Sequence, residues 1–275
     1  LTEKVKTLFK KNNVDDADAE WLVALTLNIP RSKVYDGKTT VTFKTVDKVA
    51  KLAAKRVKGE PLQYVLNSAN FYGYDFYVDN RVLIPRPETE ELVELILKEN
   101  EKLKGNILDI GTGSGCIALA LAKFLPESRV EGWDISVEAL NIATQNARQN
   151  SIETSFSKKD ILNLNTSEIS RQYDLIVSNP PYICEREKKE MDRNVLDYEP
   201  HLALFVEDSD PLLFYRKIAE AGKSILKPGK RLYFEINALF GKETQKMVEE
   251  YGYTDVHIYK DISGKNRFIS AKNDR

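Results

Sequence analysis

The sequence predicts an α/β fold with a mainly parallel, seven-stranded sheet. A small helical bundle and a β-hairpin precede it. Two observations carry this reading. From Pro85 onward, strand and helix patterns alternate, as a parallel sheet with crossover helices requires. Before residue 67 only helical spacing is found. The expected divisions are a helical domain over 1–66, a hairpin linker over 67–84 and a sheet domain over 85–275.

Within 1–66, apolar residues recur at helical spacing over 3–11, 15–27 and 45–58, as in Val5, Leu8 and Phe9. Asp15 or Asp16 is expected to cap the second helix and Thr45 the third, which Gly59-Glu-Pro61 ends. The run Phe71 to Val78 is aromatic and strand-like. Asp79-Asn80 reads as a turn and Arg81 to Ile84 as the returning strand. Pro87 suits the first turn of a helix reaching Asn100, with Glu88, Glu90 and Glu91 near its positive end. Strands are expected at 106–110, 129–133, 154–158, 173–178, 231–236, 254–259 and 266–271. Helices are expected at 115–124, 136–149, 211–226 and 241–250. The last two strands have no room for a helix between them, so the final strand should run antiparallel.

Composition narrows the function classes. Lys plus Arg number 41 and Asp plus Glu 42, a net charge of −1, which excludes a chain basic enough to coat nucleic acid. That balance hides a polarity. Residues 1–66 hold 13 basic and 8 acidic residues, and 67–275 hold 28 and 34. The basic part is therefore a candidate dock for an acidic protein, with Lys51, Lys55 and Arg56 as candidate contacts. The longest apolar run, Cys116 to Ala122, is far below the roughly 20 residues of a membrane span. The N-terminus has no apolar signal-peptide core, so a cytoplasmic location is expected. Two isolated cysteines form neither a disulfide framework nor a metal cluster, and no metal is expected.

Three strand ends carry the chemistry. After the first buried strand comes Asp109-Ile-Gly111-Thr112-Gly113-Ser114-Gly115. Glycines let backbone approach a ligand closely. Cys116 stands where a dinucleotide fingerprint needs its last glycine, and no Gly-Lys-Ser/Thr follows, so neither that motif nor a P-loop fits. Asp134, followed by Ile135, ends the second strand, where an acid can bind both ribose hydroxyls of a nucleoside. Asp160-Ile161 ends the third. This pattern resembles the class I S-adenosylmethionine-dependent methyltransferases, with their Rossmann-like sheet. The resemblance implies that Asp109 and residues 111–115 face the methionine part, Asp134 the ribose, and Asp160 and Ile161 the adenine.

Asn179-Pro180-Pro181-Tyr182 follows the fourth strand directly. Its prolines fix the backbone, which holds the Asn179 side chain and the Pro180 carbonyl in place. Two such acceptors suit a planar NH2 group and would aim its nitrogen at an electrophilic methyl. The Tyr182 ring could stack on that planar group. His201 and His257 are read as surface or structural residues.

With Gly59-Glu-Pro-Leu-Gln-Tyr64, Leu83-Ile-Pro-Arg86-Pro-Glu-Thr-Glu90, Tyr198-Glu-Pro200 and Asp261-Ile-Ser-Gly-Lys-Asn-Arg267, nearly the whole chain resembles the HemK/PrmC family. The resemblance implies N5 methylation of the glutamine in the Gly-Gly-Gln loop of class-1 peptide-chain release factors, which modulates translation termination. S-adenosylmethionine would be the donor and S-adenosylhomocysteine the product. It places cofactor contacts at Gly111 to Gly115, Asp134, Ile161 and Asn179, and the glutamine at Asn179 to Tyr182. Arg86 is expected to wall the cleft, and the charged loop 183–200 to stand at the substrate entrance. A monomer is expected. The competing readings are an adenine-N6 methyltransferase on DNA or RNA, against which the acidic catalytic part argues, and an inactive binding module, which the intact motifs oppose.

Overall fold

A computed structural model describes residues 1–36 and 39–274. In chain order the first elements are α1 (Thr2–Lys11), α2 (Asp16–Leu27), α3 (Phe43–Val57), α4 (Leu62–Leu66), β1 (Ala69–Phe71), β2 (Tyr74–Phe76), α5 (Pro87–Glu99) and β3 (Asn106–Ile110). Then come α6 (Cys116–Phe124), β4 (Arg129–Asp134), α7 (Val137–Gln149), β5 (Ser155–Lys158), β6 (Tyr173–Ser178), β7 (Ile183–Cys184) and α8 (Arg193–Tyr198). The chain ends with β8 (Phe205–Val206), α9 (Leu213–Ile225), β9 (Leu226–Glu235), α10 (Gly241–Glu250), β10 (Tyr253–Lys260) and β11 (Asn266–Asn273). No described helix is long and apolar enough to cross a membrane.

The chain divides into two compact units, Leu1–Ser68 with Met191–Tyr198, and Ala69–Glu190 with Glu199–Arg275. The hairpin, expected as a linker, thus clusters with the sheet. The first unit buries Phe9, Leu22, Val23 and Val49, the apolar faces of α1 to α3. Asp15 caps α2 by accepting from the Ala17 N–H at 2.8 Å. The cap of α3 is Thr42 rather than Thr45, whose N–H is instead the donor to the Thr42 hydroxyl. Tyr198 donates to the Lys58 carbonyl at 3.1 Å, so part of the long charged loop is ordered as α8. The three cations expected at the docking face all hold acids. Lys51 pairs with Asp47 at 2.7 Å, Lys55 with Glu60 at 3.6 Å, and the half-buried Arg56 with Asp18 at 2.7 Å.

In the second unit the sheet order is β10-β11-β9-β6-β3-β4-β5. The pairs β9–β6, β6–β3, β3–β4 and β4–β5 are parallel, and β11 is antiparallel to both its neighbours. All six residues of β6 are buried, as a central strand covered on both faces requires. The strand order reverses between β3 and β6, and ligands of open α/β sheets bind at that crevice. Register makes the crevice specific. Ile110 pairs with Ser178, so the loops starting at Gly111 and Asn179 leave the sheet side by side.

The hairpin differs from its expected form. β1 pairs with β2 across Tyr72-Gly73, both at positive φ, and Arg81 to Ile84 form no strand. Gly73 supplies the conformation that a tight, right-twisted hairpin turn needs, hidden within the aromatic run. Asp79 accepts from the Arg81 N–H and pairs with its guanidinium. The buried Asn146 of α7 then ties this region to the glycine loop. It accepts from the Tyr77 N–H at 2.7 Å and donates to the Ser114 carbonyl at 2.9 Å.

Candidate active site

A cavity of about 220 Å³ opens at the crevice. Of the residues expected from sequence, Gly111, Gly113, Asp134, Ile135, Asp160, Ile161, Asn179, Pro180 and Pro181 line it. Arg81, Val82 and Leu83 form part of its wall, as do Leu202 and Phe214. Asp109, Thr112, Ser114, Gly115, Tyr182 and Arg86 are outside the lining.

The glycine loop is built from backbone bonds. Gly111 and Thr112 donate to the Trp133 carbonyl at 2.8 and 2.9 Å. Gly111 and Gly113 have φ of +76° and +54°, a region L side chains rarely adopt. A Cβ on either would meet no protein atom within 4 Å, so both face open space. Asp134 holds this loop to the next helix. Its carboxylate accepts from the Gly113 N–H and the Ser136 N–H, each at 2.9 Å. Burial pushes its pKa up, against the pull of those backbone donors. Asp160 binds the Leu162 N–H at 2.9 Å and the Asn163 amide at 2.8 Å, which fixes the turn carrying Ile161.

Asp109 takes a different place from the expected one. It is fully buried beneath the loop, where one oxygen accepts from the Thr112 hydroxyl at 2.7 Å and the Ala118 N–H at 3.2 Å. The other oxygen has no partner. Burial, with Asp134 nearby, raises its pKa from 3.8 to about 7. Because the folded value lies above the unfolded one, the stability tied to the protonated form is complete at low pH and lost as pH rises through about 7. Asp109→Asn should therefore gain on the parent chain by up to ~1.4 kcal/mol per pH unit as pH rises from the unfolded value towards that folded one. Urea midpoints at successive pH values check this, and parallel profiles would count against it.

Arg86 also differs from expectation. Its guanidinium pairs with the buried Glu199 at 2.5 Å, and Glu199 accepts from the Ile84 N–H at 3.2 Å. Arg86 thus secures the wall segment 81–84 from behind. Glu90 is structural as well, accepting from the N–H of Tyr72 in the hairpin turn at 2.7 Å.

At the Asn179 turn, sequence reasoning misses two residues. The Asn179 amide donates to the Thr89 hydroxyl at 3.2 Å, and Thr89 donates to Glu235 at 2.7 Å. Tyr182 donates to the other Glu235 oxygen at 3.0 Å, and its ring packs against the core instead of facing the cavity. A signal for Glu235 exists in the run Leu232-Tyr-Phe-Glu-Ile236, where one acid ends a buried apolar strand. Thr89, one polar residue among three acids, carries no such mark.

Two family descriptions match the chain, the PrmC N-terminal domain over residues 1–66 and the methyltransferase small domain over 88–197. The release factor glutamine methyltransferase of Bacteroides thetaiotaomicron is 52% identical over 214 residues, covering 78% of this chain and 76% of that protein. The one from Chlorobaculum tepidum is 35% identical over 98% of this chain and 96% of its own length. The chain belongs to the release factor glutamine methyltransferase family. It is a methyltransferase of class I fold. A methyltransferase structure from Pyrococcus furiosus has the same fold, with a TM-score of 0.56 at 18% identity, over 82% of this chain and all of that one. The similarity to release factor glutamine methyltransferases runs over 98% of this chain, far beyond the Asn179 turn.

Proposed function

We propose that this member of the family methylates the side-chain nitrogen of the glutamine in the Gly-Gly-Gln loop of a class-1 release factor, with S-adenosylmethionine as donor. The observation that carries the proposal is the shared cavity. The Asn179-Pro180-Pro181 turn and the Gly111, Gly113 and Asp134 cradle line the same space. The cradle suits the donor molecule. Gly111 and Gly113 leave room at the loop that a side chain would fill, and the Asp134 carboxylate keeps lone pairs for ribose hydroxyls beyond its two backbone donors. Ile135 and Ile161 offer apolar flanks for a base, Ile161 through packing in place of aromatic stacking. When bound, S-adenosylmethionine supplies an electrophilic methyl on a sulfonium and leaves as S-adenosylhomocysteine.

Asn179 and the Pro180 carbonyl then act on the acceptor. Each takes one N–H of the glutamine amide, which orients the nitrogen before reaction. Tyr182 serves from behind, through Glu235, and does not stack on the substrate. Substrate docking falls to the helical unit in this proposal. Lys51 and Lys55 are exposed and can exchange their surface acids for a partner's, whereas Arg56 is committed to the unit's own packing.

Labelled methyl from S-adenosylmethionine should transfer to a release factor, and changing the Gly-Gly-Gln glutamine should abolish it. Persistent labelling of that changed factor, or transfer to nucleic acid instead, would refute the proposal.

A further inference from the structure

Glu235 touches none of the groups proposed to react, yet it is 1% exposed at the end of β9, behind the Asn179 turn. Burying a carboxylate is costly unless its oxygens are bonded. Here they take two hydroxyls, Tyr182 on one oxygen and Thr89 on the other. Burial raises its pKa; the Thr89 and Tyr182 hydroxyls and then Arg267 of β11 favour the ionised form, and Glu88 of α5 opposes it. The first and last residues of the Asn179–Tyr182 turn are thereby tied to one acid.

The direction of these bonds has a consequence. A hydroxyl owns a single proton. To an ionised Glu235 Thr89 gives its proton, so towards Asn179 it can only accept. The group it accepts from must be the Asn179 NH2. An asparagine amide has two nearly isosteric ends, and a flip would turn an N–H donor towards the substrate. A glutamine NH2 would then meet donor against donor at Asn179, while one oxygen of a glutamate carboxylate would find a donor there.

We propose that Thr89 and Glu235 are positioning residues that set the flip of the Asn179 amide, leaving its oxygen for the substrate nitrogen and selecting an NH2 group over a carboxylate. This rests on the function proposed above and names what makes that site specific for an amide.

The test is steady-state methylation of a release factor by the full chain, with S-adenosylhomocysteine binding as the check on folding. The parent must methylate the Gly-Gly-Gln glutamine, and if it does not, the proposed function fails, not the relay. Thr89→Val should lower kcat by roughly tenfold or more with KM changed far less, and Thr89→Ser should restore it to within about threefold. A release factor with glutamate in place of that glutamine should compete about tenfold better against Thr89→Val than against the parent.

A reversed relay gives a second, independent measurement. Asn179→Asp keeps an oxygen for the substrate but loses the donor to Thr89, so its turnover should fall about a hundredfold. Adding Glu235→Gln supplies a donor to Thr89, whose proton is then free for the carboxylate that the first change introduces. The double variant should turn over at least about tenfold faster than Asn179→Asp alone. Parental kcat in Thr89→Val or in Asn179→Asp, or a double variant no faster than Asn179→Asp, would overturn the proposal.

Discussion

Asn179→Ala is expected to reduce kcat for release-factor methylation by more than about 10²-fold, the usual scale for removing one positioned polar group from a reacting centre. The loss should fall mainly on kcat, because the rest of the substrate can still dock while its reacting nitrogen turns freely. The variant also strands Thr89, whose hydroxyl loses the amide it accepts from. Asn179 lines a cavity, so alanine opens no void in the core, and the stability lost should be limited to about 1 kcal/mol for the Thr89 hydrogen bond. Single-turnover kinetics with saturating donor would separate the two parameters. Near-normal turnover would remove Asn179 from the role assigned to it.

Asp134→Ala should raise KM for S-adenosylmethionine about a hundredfold. The carboxylate accepts from the part-buried N–H groups of Gly113 and Ser136, which fixes the glycine loop against the start of α7. A hydrogen bond from a ribose hydroxyl to a carboxylate is worth about 1.5–3 kcal/mol, and every ~1.4 kcal/mol is tenfold in affinity, which gives the expected change. Two effects add. The glycine loop loses its anchor, and the proposed ribose contact goes with it. Asp134→Asn keeps one acceptor oxygen and should fall between the parent and the alanine variant. Isothermal titration with S-adenosylhomocysteine measures the loss directly, and unchanged affinity in Asp134→Ala would place the cofactor elsewhere.

Much of this site was readable because it is local. The strand Asn106–Ile110, the glycines after it and α6 follow within a few residues, and each step has its own signal in buried residues, positive-φ glycines and helical spacing. The Asn179 turn is equally local, fixed by its two prolines. Asp134 and Asp160 could be placed because an acid at a strand end marks the ligand edge of a parallel sheet. Asp109 shows the limit of that rule. It also sits near a strand end, but its side chain points beneath the loop to Thr112 and Ala118, and sequence alone does not show which way a buried strand residue faces. The hairpin was misplaced for a related reason. One glycine in an aromatic run had to compete with the stronger turn signal of Asp79-Asn80.

By itself the sequence determined the alternation of strands and helices, the antiparallel last strand, the glycine cradle and the rigid turn. Each depends on residues only a few places apart, whose spacing dictates backbone geometry. Tertiary structure decided the pairings between distant residues. Arg86 meets Glu199 from 113 positions away, Thr89 meets Glu235 across 146, and Asn179 meets Thr89 across 90. No local pattern specifies such pairs. They exist because the register of β3 against β6, and of β6 against β9, brings separate strand ends to one edge, where a buried polar group must find a partner or remain unbonded.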